Sequence, residues 1–356
     1  RDMVSLVAEA VPDAPLSQIE QEAVGALAGN SPFLTRLIRR EPAFMHRVLT
    51  EDQTGLFEAE MDMLTRRAPE CGDQKALMAL LRQAKARMAL LVAHADVTGQ
   101  WGLEAVTGAL SDFADRALDL ALAHLLHRSM RRGQLPWPDQ DDAPATPALA
   151  KGSGLVVLAL GKHGARELNY SSDIDLVVLW DNEVVRPLGD AAPADIFVRI
   201  TKDLVQMMEQ RTGEGYVFRT DLRLRPDPGS TPVAVSMAAA ETYYQSMALN
   251  WERAAHIKAR PVAGDIAAGE AYLERLRPFV WRKNIDYAAL EDIHAIKDQV
   301  QRHHRAHSRA LEGFDLKLGP GGIREVEFYA QINQLLAGGR DARLRPRSTE
   351  IGRAHV

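Results

Sequence analysis

A single cysteine, Cys71, stands in 356 residues. One thiol cannot form an internal disulfide, which excludes a disulfide-framed fold and fits a reducing cytoplasm. No apolar run is long enough to span a bilayer, so no membrane partner is expected. The opening residues do not read as a signal peptide. An excess of basic charge is also missing: 43 Lys and Arg stand against 48 Asp and Glu, for a net charge of -5. That balance argues against a dedicated nucleic-acid binder, though it leaves room for a local basic pocket. Internal repeats, zinc-ligand spacings, a Walker loop and a serine-hydrolase elbow are all lacking.

What is present begins with helix. Residues 1–135 are rich in Ala, Leu, Met, Arg and Glu, with apolar side chains at three- and four-residue steps. Ser31-Pro32 and Glu41-Pro42 read as helix starts, because Pro suits the first helical position and Ser caps it. Residues 75–94 form one long amphipathic segment, and 102–130 are expected to hold two more helices. Met78 and Met88 read as core; His94, His124 and His127 read as helix-face histidines rather than metal ligands. Residues 136–153 are rich in Pro, Asp and Ala and read as a solvated linker.

The chemistry is concentrated in residues 155–181. Two apolar runs, Leu155–Leu160 and 176–180, have the length of buried strands, and a Gly-containing turn joins them. The second run opens on Asp173-Ile174-Asp175. Side chains alternate along a strand, so both aspartates share a face while Ile174 points into the core. Two carboxylates so placed repel each other, and a hard divalent cation, Mg²⁺ or Mn²⁺, is their usual compensation. Lys162 follows Gly161 and either binds a phosphate oxygen or sits on the surface. Ser171 and Ser172 either donate to the same anion or hold the turn.

Residues 216–226 read as a later strand on which Arg219, Asp221, Arg223 and Arg225 share one face. Arginines around one aspartate suit an anion held beside a metal, with Asp221 as a third metal-binding carboxylate. Pro226-Asp227-Pro228-Gly229 is a turn and 231–236 another strand. Residues 194–211 are expected to be a crossover helix, and 238–247 and 249–259 two further helices. Trp251 reads as core; Lys258 and Arg260 point back at the phosphates or lie exposed at a helix end. Helix resumes from 269 to 337 with one break, Gly319-Pro320-Gly321-Gly322, an anion-binding nest flanked by Lys317 and Arg324. His303, His304 and His307 read as a solvated basic face.

These motifs, in order, resemble a known family. The run Gly-Lys-His-Gly-Ala-Arg-Glu-Leu-Asn-Tyr-Ser-Ser-Asp-Ile-Asp-Leu (161–176), Asp-Leu-Arg-Leu-Arg-Pro (221–226), Trp-Glu-Arg (251–253), Ile-Lys-Ala-Arg-Pro (257–261) and Lys-Leu-Gly-Pro-Gly-Gly-Ile-Arg-Glu-Val-Glu-Phe (317–328) are similar to the bifunctional glutamine synthetase adenylyltransferase/adenylyl-removing enzymes. The resemblance covers more than half of the chain and, in the form of these motifs, is nearest the N-terminal, adenylyl-removing half, here truncated. It implies an α+β fold. A polymerase-β-like nucleotidyltransferase domain (small mixed sheet with helices, 154–262) is flanked by an N-terminal helical region and by a C-terminal one at 263–349 that closes over the site. Residues 350–356 read as a non-native tail. His163 and Ala165 depart from the Leu and Gly common in the family's turn, and Lys162 replaces a Ser of the wider superfamily.

The resemblance further implies the reaction. Mg²⁺ ions on Asp173, Asp175 and Asp221 hold the phosphate of an adenylyl-tyrosine in glutamine synthetase. Inorganic phosphate displaces the tyrosine and ADP leaves. Gly161, Lys162, Ser171, Ser172, Arg223, Arg225, Lys258 and Arg324 are the expected phosphate-binding set, and the PII signal protein is an expected partner. Two other readings stay open: the forward transfer of AMP from ATP, and a non-catalytic module docking glutamine synthetase or PII.

Overall fold

The structure is a computed structural model that describes residues 2–138, 143–184, 187–283, 316–317, 319 and 321–349. The expected helices at 294–309 with their three histidines, residues Leu318 and Pro320 of the Gly-rich break, and the tail at 350–356 lie outside the described residues.

The N-terminal region is helical for local reasons. α1 (Met3–Ala10) is capped by Asp2, and α2 (Gln18–Asn30) by a reciprocal Ser17–Glu20 box. Ser31 caps α3 (Pro32–Arg40) through its hydroxyl at the Leu34 amide, and α4 (Pro42–Thr50) follows with Pro42 at its first turn. Both expected starts are found. α5 (Gln53–Arg67) and α6 (Gln74–Val97) carry Asp caps at Asp52 and Asp73. Residues 102–130 do not divide into two helices: α7 runs unbroken over Leu103–Arg131. Gly108 within it costs only about 1 kcal/mol, and burial of side chains such as Leu118, Leu122 and Leu125 outweighs that.

A five-stranded mixed sheet follows. β1 (Leu155–Leu160) turns through α8 (Gly161–Gly164) and pairs antiparallel with β2 (Ile174–Trp180). α9 (Pro193–Glu209) crosses over, as expected, to β3 (Thr220–Asp221) and β4 (Ala234–Ser236). Both lie parallel to β2, one after the other along the same edge. α10 (Met237–Ser246) and α11 (Asn250–His256) precede β5 (Arg260–Gly264), which pairs antiparallel with β1 on the far edge. α12 (Ile266–Val280) and, beyond the Gly-rich break, the helix Ile323–Ala337 complete the described chain.

Two strand expectations are corrected. Residues 216–226 contribute only Thr220 and Asp221 to the sheet, because the chain leaves the ladder at Leu222 into a turn. β5 went unread: its five residues contain Pro261, which marks a sequence as non-strand unless it lies on an edge or at a bulge. β5 is an edge strand here, and its register shifts opposite Val157/Leu158.

All six residues of β1 are buried, because helices cover both faces of the sheet. Leu155, Val157 and Ala159 join the core shared with α6, α7 and α9. Val156, Leu158 and Leu160 join a second core with α10 and α12. The N-terminal helices are thus part of the sheet's own core. The Pro/Asp-rich stretch docks as well, burying Leu149 and Ala150 in a short turn of helix. Arg82 of α6 adds a polar tie: its buried guanidinium donates to the carbonyls of Met78, Met207, Gln210 and Gly215. No helix among the described residues is long and apolar enough to cross a membrane.

Candidate functional site

β1 delivers the chain to Gly161, whose φ is +54°. A Cβ there would lie 2.3 Å from Asp175 Oδ2, so only glycine admits this approach of turn and carboxylate. Gly164 is as tight, since a Cβ would lie 2.1 Å from the Lys258 carbonyl oxygen. The turn is therefore pressed between the start of β2 and the lead into β5.

The parallel register of β2 and β3 sets Asp175 beside Asp221. Glu209, at the end of α9, fixes that register by accepting from the Thr220 amide and hydroxyl, each at 2.7 Å. Burial raises the Asp175 carboxyl to about 6, with the charges of Asp221 and Asp173 adding to it. Arg223 holds Asp221 below the usual carboxylate range: its Nε donates to both oxygens at 3.0 and 2.9 Å, and its backbone N–H donates at 2.8 Å. Arg219 donates to Asp173 and to the Ser171 carbonyl. Asp173, Asp221, Arg219 and Arg223, with Tyr216 and Glu209, border an open cleft of about 550 Å³.

The donor set suits a hard divalent ion: all-oxygen, anionic and mutually repelling. Among the described residues, no three His, Cys, Asp or Glu side chains form a ready metal-binding group. The carboxylate of Asp173 is taken by Arg219 and that of Asp221 by Arg223. Both pairs are solvent-exposed on the arginine side, so water and salt screen them and they hold weakly. A divalent cation competes with them easily.

The expected phosphate-binding residues divide. Lys162 has no carboxylate or hydrogen-bond partner for its ammonium among the described residues, which leaves it open to an anion. Ser171 and Ser172 sit in the turn before β2, where Ser172 bonds back to Asn169. Arg223 lies on the acids. Arg324 is exposed in the first turn of the Ile323–Ala337 helix. Arg225 does not face the cleft as an alternating strand required. Its guanidinium donates to the carbonyls of Leu222, Pro228, Thr231 and Pro232 at 2.8 to 3.1 Å, tying the 222–232 turn. Lys258 is buried, and its ammonium goes to Glu167, Glu327 and the Thr349 hydroxyl. Arg260 pairs with Asp115 of α7, which also bonds the buried His163. Within Trp-Glu-Arg, Trp251 is only half-buried; the core residues are Glu252, which caps α11, and Arg253, which binds the last carbonyls of α12.

Sequence reasoning passed over Glu209, Glu167 and Glu327. Glu167 and Glu327 stand within the quoted motifs, but their partner Lys258 lies 91 and 69 residues away, and Glu209 acts on Thr220 across the turn that follows α9. The Gly-rich break does approach the acids: the charge of Lys317 is felt at Asp175. Gly321 has φ +76°, and a Cβ on Gly322 would lie 2.7 Å from the Leu316 carbonyl, so the glycines there serve a tight turn.

A small mixed sheet with Asp173-Ile174-Asp175 opening one strand and Asp221 on its parallel neighbour defines a nucleotidyltransferase domain, here within a mostly helical chain. Residues 21–275 match the profile of glutamate-ammonia ligase adenylyltransferases, and the chain belongs to that family. Residues 293–350 match the profile of PII-uridylyltransferases. Curated relatives include proteins named bifunctional glutamine synthetase adenylyltransferase/adenylyl-removing enzyme. One from Xanthobacter autotrophicus is 50% identical over 319 residues, covering 90% of this chain and 32% of its own length. One from Rhodopseudomonas palustris is 45% identical over 348 residues, covering 98% and 34%. One from Bradyrhizobium sp. is 50% identical over 325 residues, covering 90% and 32%. The chain spans about a third of the length of these relatives.

Proposed function

We propose that this chain carries the phosphorolytic, adenylyl-removing activity: it releases AMP from an adenylylated tyrosine of glutamine synthetase as ADP. The observation that carries the reading is the register pairing of Asp175 with Asp221 and the raised Asp175 carboxyl beside it. Such a carboxyl is held in an unfavourable state that a cation relieves. Asp173, Asp175 and Asp221 are the residues that would hold Mg²⁺. When bound, Mg²⁺ supplies a clamp on phosphate oxygens and neutralises the charge that builds up in displacement.

The remaining work falls to the chain. Lys162, open beside Gly161, steadies the incoming phosphate, and the arginines released from Asp173 and Asp221 face the same anions. An oxygen of inorganic phosphate forms the new bond to the AMP phosphorus. The bond from that phosphorus to the tyrosine oxygen breaks, its electron pair stays on the phenolate, and the phenolate takes a proton from the hydrogen phosphate. The products are ADP and unmodified tyrosine. The match of residues 293–350 to PII-uridylyltransferases supports the PII signal protein as a further partner.

Adenylylated glutamine synthetase, inorganic phosphate and Mg²⁺ test the reading through release of ADP, compared between the chain and its Asp173→Asn and Asp221→Asn variants. Phosphate-dependent ADP release that both variants abolish is expected. Transfer of label from ATP to unmodified glutamine synthetase, without ADP release from the modified form, assigns the forward reaction instead.

A further inference from the structure

A second cavity, of about 540 Å³, lies between the N-terminal helices and the loops leading to the acidic cleft. Its walls are mainly apolar: Phe33 and Leu37 from α3, Ala89 and Ala93 from α6, and Phe218 from the loop before β3. The size is that of a small-molecule site. Three cations border it, and two are already engaged. Arg82 is spent on four backbone carbonyls, and Arg219 on Asp173 and the Ser171 carbonyl.

Lys85 differs. Its ammonium sits 4.0 Å from the centre of the Phe218 ring and 5.7 Å from that of Phe113. Among the described residues no carboxylate pairs with it. Two acids share the cavity wall: Asp96 is taken by the Tyr170 hydroxyl, and the charge of Glu214 is felt at Arg82. Burial without an opposing charge pushes the Lys85 ammonium down to about 8. Aromatic faces compensate a desolvated ammonium only in part. One monoanionic group would complete it. A phosphate dianion would call for a second unengaged cation, and the cavity offers none among the described residues.

We infer that this cavity binds a small organic monocarboxylate, its carboxylate on Lys85 and its apolar body against Phe33, Leu37, Ala89 and Phe218. Arg219 is a wall of both this cavity and the acidic cleft, and Ser171 and Ser172 line it as well. An occupant therefore borders Arg219, which holds Asp173.

The test titrates the chain with phenylacetate, 4-phenylbutyrate and 4-methylpentanoate by calorimetry, with 2-phenylethanol as an uncharged control. Wild type is compared with Lys85→Met, which keeps the apolar stem. At least one acid is expected to bind saturably. Affinity should fall about tenfold or more for 2-phenylethanol and for the variant, since a charge-assisted bond is lost. A second readout needs no variant: the bound acid should protect Lys85 of the wild type from acetylation, followed by peptide mass spectrometry. The inference is overturned by no saturable binding of any of the three acids, by equal affinity in Lys85→Met, or by unchanged acetylation of Lys85 under saturation.

Discussion

A Cβ on Gly161 would lie 2.3 Å from Asp175 Oδ2, well inside van der Waals contact. The turn and the carboxylate are therefore one unit, and an added methyl must move the acid. Gly161→Ala is expected to lower phosphate-dependent ADP release by more than tenfold, while stability falls by only about 1–2 kcal/mol for the left-handed backbone. The obstructing atom is the end of a side chain, which can yield. Rate assays beside urea unfolding check the split; equal losses in both would place the residue's role in folding alone.

Asp175 predicts a pH dependence with a definite sign. Its carboxyl is raised to about 6, so the folded state binds this proton more tightly than the unfolded chain does. Ionisation of Asp175 therefore costs stability, fully above pH 6 and not at all below about pH 4. Asp175→Asn should stabilise the metal-free protein by roughly 1–3 kcal/mol at pH 8, a gain that vanishes toward pH 4. In the wild type, Mg²⁺ affinity should fall as pH drops through 6, because the ion needs the carboxylate. Thermal unfolding and metal titration at pH 4, 6 and 8 check both statements.

The Arg219–Asp173 pair predicts a competition. Arg219→Ala should change stability by less than about 1 kcal/mol, because the pair is half-exposed on both sides. It should strengthen Mg²⁺ binding several-fold by freeing Asp173. Calorimetric titration of Mg²⁺ into both proteins decides; weaker binding in the variant would mean that Arg219 positions the acid for the ion.

Lys258 makes a structural prediction. Its buried ammonium is shared by Glu167, at the end of the Gly161 turn, and Glu327, on the Ile323–Ala337 helix. Lys258→Met leaves two carboxylates facing each other without a cation, at a cost of about 3–5 kcal/mol. Adding Glu167→Gln and Glu327→Gln should recover most of that loss. Urea unfolding of the single and triple variants measures it.

Much of this architecture is legible in the chain itself. The uninterrupted apolar run Leu155–Leu160 had to be a strand covered on both faces. Asp173-Ile174-Asp175 had to present two acids on one side of the next. Ser31-Pro32 and Glu41-Pro42 had to begin helices. These follow from local sterics and period, which neighbours in the chain settle among themselves. The end of β3 at Asp221 is hidden by the alternation that continues through Arg225, because a turn closed by bonds from one side chain to backbone carbonyls of its own loop leaves no mark on the pattern. β5 is hidden by its proline, which a strand tolerates on an edge or at a bulge.

The periodicities, the caps and the aspartate pair follow from the order of residues alone, because each depends on neighbours a few positions apart. The tertiary structure alone decided which charges meet. It set Arg225 on its own loop and Lys258 between Glu167 and Glu327, left Lys85 facing a cavity, and brought Asp221 beside Asp175. Pairings of that kind depend on where separate segments are carried by packing, and Coulomb and hydrogen-bond partners are chosen by distance in space, not by distance along the chain.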